Sequence, residues 1–209
     1  MQRKLNGADL AENFFLQMST RRSIREFSPE PVERQILLNA IKTAGTAPSG
    51  ANKQPWHFAL ITNPELKQKI RAAAEQVEQA FYSGKAGETW LNDLKPFATN
   101  STKEYLSVAP VLIAVFARTA LANSDQKERT YYPVESTCIA TGLLIASLHT
   151  SGLATLTHTP KPMNFLNSLL SLDATYRPLF IVVAGHPKTP TRVPNIERKS
   201  LDEILSEHT

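Results

Sequence analysis

Residues Leu179 to Ala184 read LFIVVA, six positions without a polar side chain. A strand with one wet face alternates apolar and polar residues, so an unbroken apolar run of this length fits an inner strand covered on both faces. The segment from Ala109-Pro110-Val111 to Phe116 has the same character and reads as a second buried strand. A third strand is expected over 56–62, where WHFALIT follows a small-residue turn and stops at Asn63-Pro64.

Helical patterns lie between these strands. Leu10, Phe14, Phe15 and Met18 fall at helical spacing over 8–19. VERQILLNAIKTA at 32–44 is amphipathic, with Pro31 at its start and Gly45 at its end. A helix begins near Glu65, a buried Ala/Leu/Ile-rich helix spans about 132–151 with Gly152 as its C-cap, and a short helix is expected over 162–171. Residues 119–130 read as a polar loop. The segment 76–103 is polar with scattered aromatics, a pattern that suits a lid. Pro187, Pro190 and Pro194 make 187–209 an extended arm able to lie across a partner subunit. Helices alternating with few strands leave α+β and α/β as the fold classes. The 209 residues suit one domain, 1–209, with no break in composition.

Several function classes are disfavoured. The net charge is only +4, and the basic residues are scattered apart from Arg21, Arg22 and Arg25, so no nucleic-acid footprint is expected. The single cysteine, Cys138, forms no intrachain disulfide and suits a reducing compartment. The N-terminus lacks a signal-peptide pattern, and no apolar run is long enough for a membrane span. A soluble cytoplasmic protein is expected. No metal-ligand spacing such as CxxC or HExxH is present, nor a dinucleotide or Walker glycine motif.

Three groups could carry chemistry. Arg21, Arg22, Ser23 and Arg25 place three guanidinium forks and a hydroxyl within five residues. That suits a phosphate dianion, although a solvated basic helix end fits about as well. The turn Ala47-Pro48-Ser49-Gly50-Ala51 would let a flat ring approach the backbone, or simply reverse the chain. Thr157, His158 and Thr159 could donate to a cofactor ring, or be a polar strand end.

Taken together, RRSIREF (21–27), TAPSGANKQPWHF (46–58), the helix around Gly142 and VVAGHP (182–187) resemble the FMN-dependent nitroreductase superfamily in type and order. The resemblance implies an α+β fold with a central mixed β-sheet flanked by helices. It also implies an intertwined homodimer with an extended C-terminal arm, and FMN bound at the dimer interface. It assigns Arg21, Arg22, Ser23, Arg25 and Arg198 to the FMN phosphate and ribityl end, and Pro48, Ser49 and Gly50 to the ring. Thr157, His158 and Thr159 would also contact FMN, with Thr159 donating to flavin N5.

Within the superfamily, KTAGTAPSGA (42–51), WLNDL (90–94), KEYL (103–106), Tyr131-Tyr132 and ATLTHTP (154–160) are similar to the iodotyrosine deiodinase branch. That likeness implies reductive dehalogenation of halotyrosines. Glu78, Tyr82 and Lys103 would hold the amino-acid zwitterion, and the Ala51 backbone N–H the phenolate oxygen. The spacing of Glu78 and Tyr82 is i, i+4, which puts both on one helix face. Electrons would come from NAD(P)H or a reductase. The alternative is a general NAD(P)H-dependent nitroreductase or quinone reductase, which needs no zwitterion clamp. The likeness departs from the animal enzymes at His158, where they carry Thr, and at Asn52, Lys53 and Gln54, which look more like the general family.

Overall fold

The computed structural model describes residues 6–123 and 126–209. Its centre is a four-stranded sheet. The strands are β1 (Trp56–Ile61), β2 (Val111–Arg118), β5 (Ala154–His158) and β6 (Tyr176–Gly185), in spatial order β1-β2-β6-β5. All three strand pairs run antiparallel, and one parallel bridge, Ser23 to Thr155, gives the β5 edge its mixed character.

The two apolar runs occupy the middle of the sheet, as their patterning requires. Alternate residues of β2 serve opposite layers. Leu112, Ala114 and Phe116 join Ile181 and Val183 of β6 in one core. Val111, Ile113 and Val115 join Val182 and Ala184 in the other. The first layer is closed by α3 (Pro64–Ala80), α5 (Tyr105–Val108) and α7 (Phe165–Leu169) through Ile70, Ala74, Leu106 and Leu166. The second is closed by α2 (Arg34–Ala44) and α6 (Pro133–Thr150) through Leu37, Ala40, Ala44, Leu144 and Leu148. Asn63 starts α3 by accepting from the Leu66 N–H at 2.8 Å, with Pro64 at the first helical position.

One expectation changes. Over 119–130 the chain forms an antiparallel ladder rather than a loop, β3 (Ala120–Asn123) against β4 (Gln126–Arg129), with 124–125 outside the described residues. Its order comes from cross-strand backbone pairing and from anchors at its base, where the Thr130 hydroxyl donates to Arg118 O at 2.6 Å. Periodicity of burial cannot signal such a ribbon. The first helix, α1 (Gly7–Ser19), forms as expected behind a capping box of Asn6 and Asp9, yet no residue of it is buried. Leu10, Phe14, Phe15 and Leu16 are all more than half exposed.

Gly185 closes β6 under a steric demand. A Cβ there would meet the Pro110 ring carbons at 2.6 and 2.8 Å. Gly185→Ala is expected to lower stability by about 1–3 kcal/mol, the usual effect of overpacking. Denaturant melts check this; an unchanged midpoint would show that the Pro110 ring yields.

Candidate functional site

At the β5 edge, a cavity of about 370 Å³ opens between the end of α3, the segment that follows it, and the last residues of β5. Helix α3 passes into a π-helical turn, Phe81–Lys85, and then into α4 (Glu88–Leu94). Glu78 and Tyr82, one helical step apart, both face the cavity. Phe81 carries Tyr82 and Trp90 edge-on at ring distances of 5.2 and 5.0 Å, forming an aromatic wall.

Lys103 comes from the far side of that segment. Its ammonium lies 3.0 Å from the Glu78 carboxylate and 5.2 Å from the centre of the Tyr82 ring. Both charges are largely out of water, with side-chain exposures of 13% for Glu78 and 6% for Lys103. The Tyr82 hydroxyl hydrogen-bonds Thr99 Oγ1 at 2.8 Å. The three residues that the sequence separates by 25 positions therefore meet in one cavity.

Two residues that the sequence reading did not single out hold this group. Glu75, one turn before Glu78, accepts the Lys103 backbone N–H at 2.7 Å and pairs with Arg71 at 2.8 Å. Burial works against the Glu75 carboxylate, but these partners outweigh it and hold its carboxyl below the usual range. Tyr105 hydrogen-bonds His158 Nδ1 at 3.1 Å, with the two rings edge to face at 5.6 Å. The helical spacing of Glu75 from Glu78 was a usable signal; nothing local joins Tyr105 to a residue 53 positions away.

His158 is only 6% exposed. Thr157 and Thr159 on either side of it are exposed at the cavity, so along this strand end the histidine turns inward and the threonines outward. Burial, aided by the Lys103 charge, pushes the imidazole pKa down to about 3. The native state therefore keeps His158 neutral where an unfolded chain, below pH of about 6.5, would protonate it. Stability attributable to this residue is complete above that pH and declines as pH falls from about 6.5 toward 3. Between pH 7.5 and pH 5 the expected loss is about 2 kcal/mol. Urea melts should show it, and His158→Leu should remove that increment.

The second feature is a smaller cavity of about 140 Å³, lined by Arg21, Arg22, Ser23, Arg25 and Arg198 together with Phe97, Pro194 and Ile196. Arg198 donates to Ser19 O at 2.8 Å and to Arg21 O at 2.7 Å, and Arg22 donates to Pro194 O. These bonds bring the C-terminal segment back onto the arginine cluster. Arg21 and Arg25 donate to no protein acceptor among the described residues, and no carboxylate there pairs with any of the four guanidinium groups. Burial, with Arg198 and Arg22 nearby, lowers the Arg21 pKa. Such crowded, unspent donors suit a phosphate. Arg25 lines both cavities, so one elongated ligand could fill the two.

The turn at 48–51 lies elsewhere. Ala51, Asn52 and Gln54 have positive φ, and the Ser49 hydroxyl accepts from the Gln54 N–H at 2.9 Å. Gly50 packs against Tyr131 and Tyr132, where a Cβ would come within 3.0–3.2 Å of both. Pro48, Ser49, Gly50 and Ala51 are not among the residues lining either cavity of their own chain.

Residues 18–186 match the nitroreductase family. The chain belongs to that family. This nitroreductase family member is 43% identical over 189 residues to the iodotyrosine deiodinase of Haliscomenobacter hydrossis, covering 90% of this chain and 85% of the relative. Human iodotyrosine deiodinase 1 is 39% identical over 197 residues, 93% of this chain and 68% of the relative. A crystal structure of oxidized iodotyrosine deiodinase bound to FMN and 3-iodo-L-tyrosine matches with a TM-score of 0.82 at 28% identity, covering 94% of this chain and 99% of the other. Among the described residues no helix is long and apolar enough to cross a membrane, and no cluster could hold a metal ion.

Proposed function

We propose that this protein is an FMN-dependent dehalogenase that converts halotyrosines to tyrosine and halide. The observation that carries this reading is the buried Glu78–Lys103 pair with Tyr82 beside it. A cavity that sequesters one negative and one positive group 3.0 Å apart is matched by a ligand carrying both charges on groups attached to one carbon. An α-amino acid exchanges that internal pair for two, its ammonium on Glu78 and its carboxylate on Lys103 and Tyr82. A neutral nitroaromatic or quinone would leave the pair unused.

Arg21, Arg22, Ser23, Arg25 and Arg198 would hold the FMN phosphate and ribityl end, and the ring would run past Arg25 to Thr157 and Thr159, with His158 turned inward behind them. FMN, when bound and reduced, would supply the two electrons that, with a proton, replace the carbon–halogen bond by carbon–hydrogen and release halide. The chain's residues orient the reactants. Thr159 offers a hydrogen-bond donor at the cavity rim, suited to flavin N5. The segment 76–103 acts as a lid that closes over the zwitterion and excludes water. Electrons come from outside, from NAD(P)H or a reductase.

The site is completed by a second copy. Pro48, Ser49 and Gly50 fit the flavin ring and the Ala51 N–H fits a phenolate oxygen, yet their own chain keeps them from the cavities. Apolar surface supports such a partner: Leu10, Phe14, Phe15 and Leu16 of α1, Ile139 on α6, and Leu201, Ile204 and Leu205 near the C-terminus are all exposed. A homodimer with the end of the arm beyond Arg198 laid across its partner would cover them.

The test is anaerobic turnover of FMN-loaded protein with dithionite and 3-iodotyrosine, reading released tyrosine, alongside quenching of flavin fluorescence by the same ligand. Quenching with tyrosine release supports the dehalogenase. Bound flavin without either would leave a general nitroreductase.

A further inference from the structure

We infer that Tyr105 and His158 form a positioning pair that fixes the distance between the zwitterion clamp and the flavin-facing end of β5. The inference rests on the dehalogenase reading and deepens it. Tyr105 lies two residues after Lys103, and the Lys103 carbonyl accepts the Leu106 N–H at 3.0 Å, so the clamp lysine and Tyr105 belong to one rigid turn. His158 stands between Thr157 and Thr159. The 3.1 Å contact between Tyr105 Oη and His158 Nδ1 is thus a direct tie from one half of the site to the other.

The chemistry assigns the roles within the tie. Burial and the Glu78 charge keep the Tyr105 phenol protonated, and burial and Lys103 keep the imidazole neutral. The phenol donates and Nδ1 accepts, which places the ring proton on Nε2. Nε2 is buried and has no partner among the described residues. An imidazole with one nitrogen unsatisfied is a poor choice for packing alone, since an apolar side chain of similar size would remove that penalty. Its retention is accounted for by what the other nitrogen holds.

The tie sets geometry rather than affinity. Glu78, Tyr82 and Lys103 remain to grip the zwitterion, and the arginines remain to grip phosphate. What changes without the tie is how the halogen-bearing carbon lies against the flavin. Tyr105→Phe is expected to lower kcat for 3-iodotyrosine about tenfold, a fraction of the hundredfold that a misplacement of about 1 Å can produce. Halotyrosine and FMN dissociation constants should move less than about threefold. The double variant Tyr105→Phe/His158→Leu should lose no more activity than either single variant, because the pair acts as a unit. It should melt no lower than either single variant, because it leaves no member of the pair buried without its partner.

The experiment is a double-variant cycle on FMN-loaded enzyme, with kcat, both dissociation constants and melting temperature measured for all four proteins. Non-additive kcat losses with preserved affinities support the tie. An unchanged kcat in Tyr105→Phe, additive losses, or losses that track FMN affinity or melting temperature would overturn it. Wild-type turnover is the internal control: if wild type releases no tyrosine, the dehalogenase reading fails and the inference falls with it.

Discussion

Replacing Glu78 with Gln is expected to weaken 3-iodotyrosine binding by at least about thirtyfold, in line with the roughly 2–5 kcal/mol that follows when one member of a buried, hydrogen-bonded charge pair is removed. The reason is twofold. The variant no longer offers a carboxylate to the ligand ammonium, and the ammonium of Lys103, a residue 5% exposed, is left with the Asn100 carbonyl and the face of the Tyr82 ring and no countercharge in contact among the described residues. Glutamine keeps the shape of Glu78, so the loss reports charge rather than packing. Turnover of a nitroaromatic that carries no zwitterion should fall far less. Fluorescence titration of the FMN-loaded variant, with nitroaromatic reduction measured on the same sample, gives both numbers. Equal losses on the two substrates would mean that Glu78 serves the fold or the flavin and that the clamp is wrongly placed.

Replacing Arg25 with Ala is expected to weaken FMN binding by about 10- to 100-fold, the range of a charge-assisted hydrogen bond of roughly 1.5–3 kcal/mol. Arg22 and Arg198 already spend donors on backbone carbonyls, whereas Arg25 rests against the Phe97 ring with its carbon 5.4 Å from the ring centre. Its donors are therefore available to a ligand, and it is the arginine that lines both cavities. Salt should weaken wild-type binding more steeply than binding to the variant, because exposed charge pairs are screened. Titrating apoprotein with FMN at two ionic strengths checks both points. A variant that binds FMN as tightly as wild type would move the phosphate away from this cluster.

The inner strands were legible because LFIVVA and VLIAVF carry their burial in composition: both faces are apolar, so both must be covered. Glu78 and Tyr82 were legible as a pair because four residues make about one helical turn. The arginines at 21, 22 and 25 were legible as one basic cluster because they are close together in the chain, and they line one cavity. Each of these signals is local, and local spacing fixes which way side chains point within one element.

Contacts between elements left no such mark. Glu75 meets Lys103 across 28 residues and Tyr105 meets His158 across 53, through the packing of α3 and α5 on the sheet. The apolar stripe of α1 was readable, but not that it would find no core in its own chain. Nothing in the sequence of the turn at Pro48–Ala51 shows that it lies outside both cavities of its own chain. Periodicity sets a face for each segment. What that face meets depends on how the whole chain closes around its core, and here tertiary structure alone decided it.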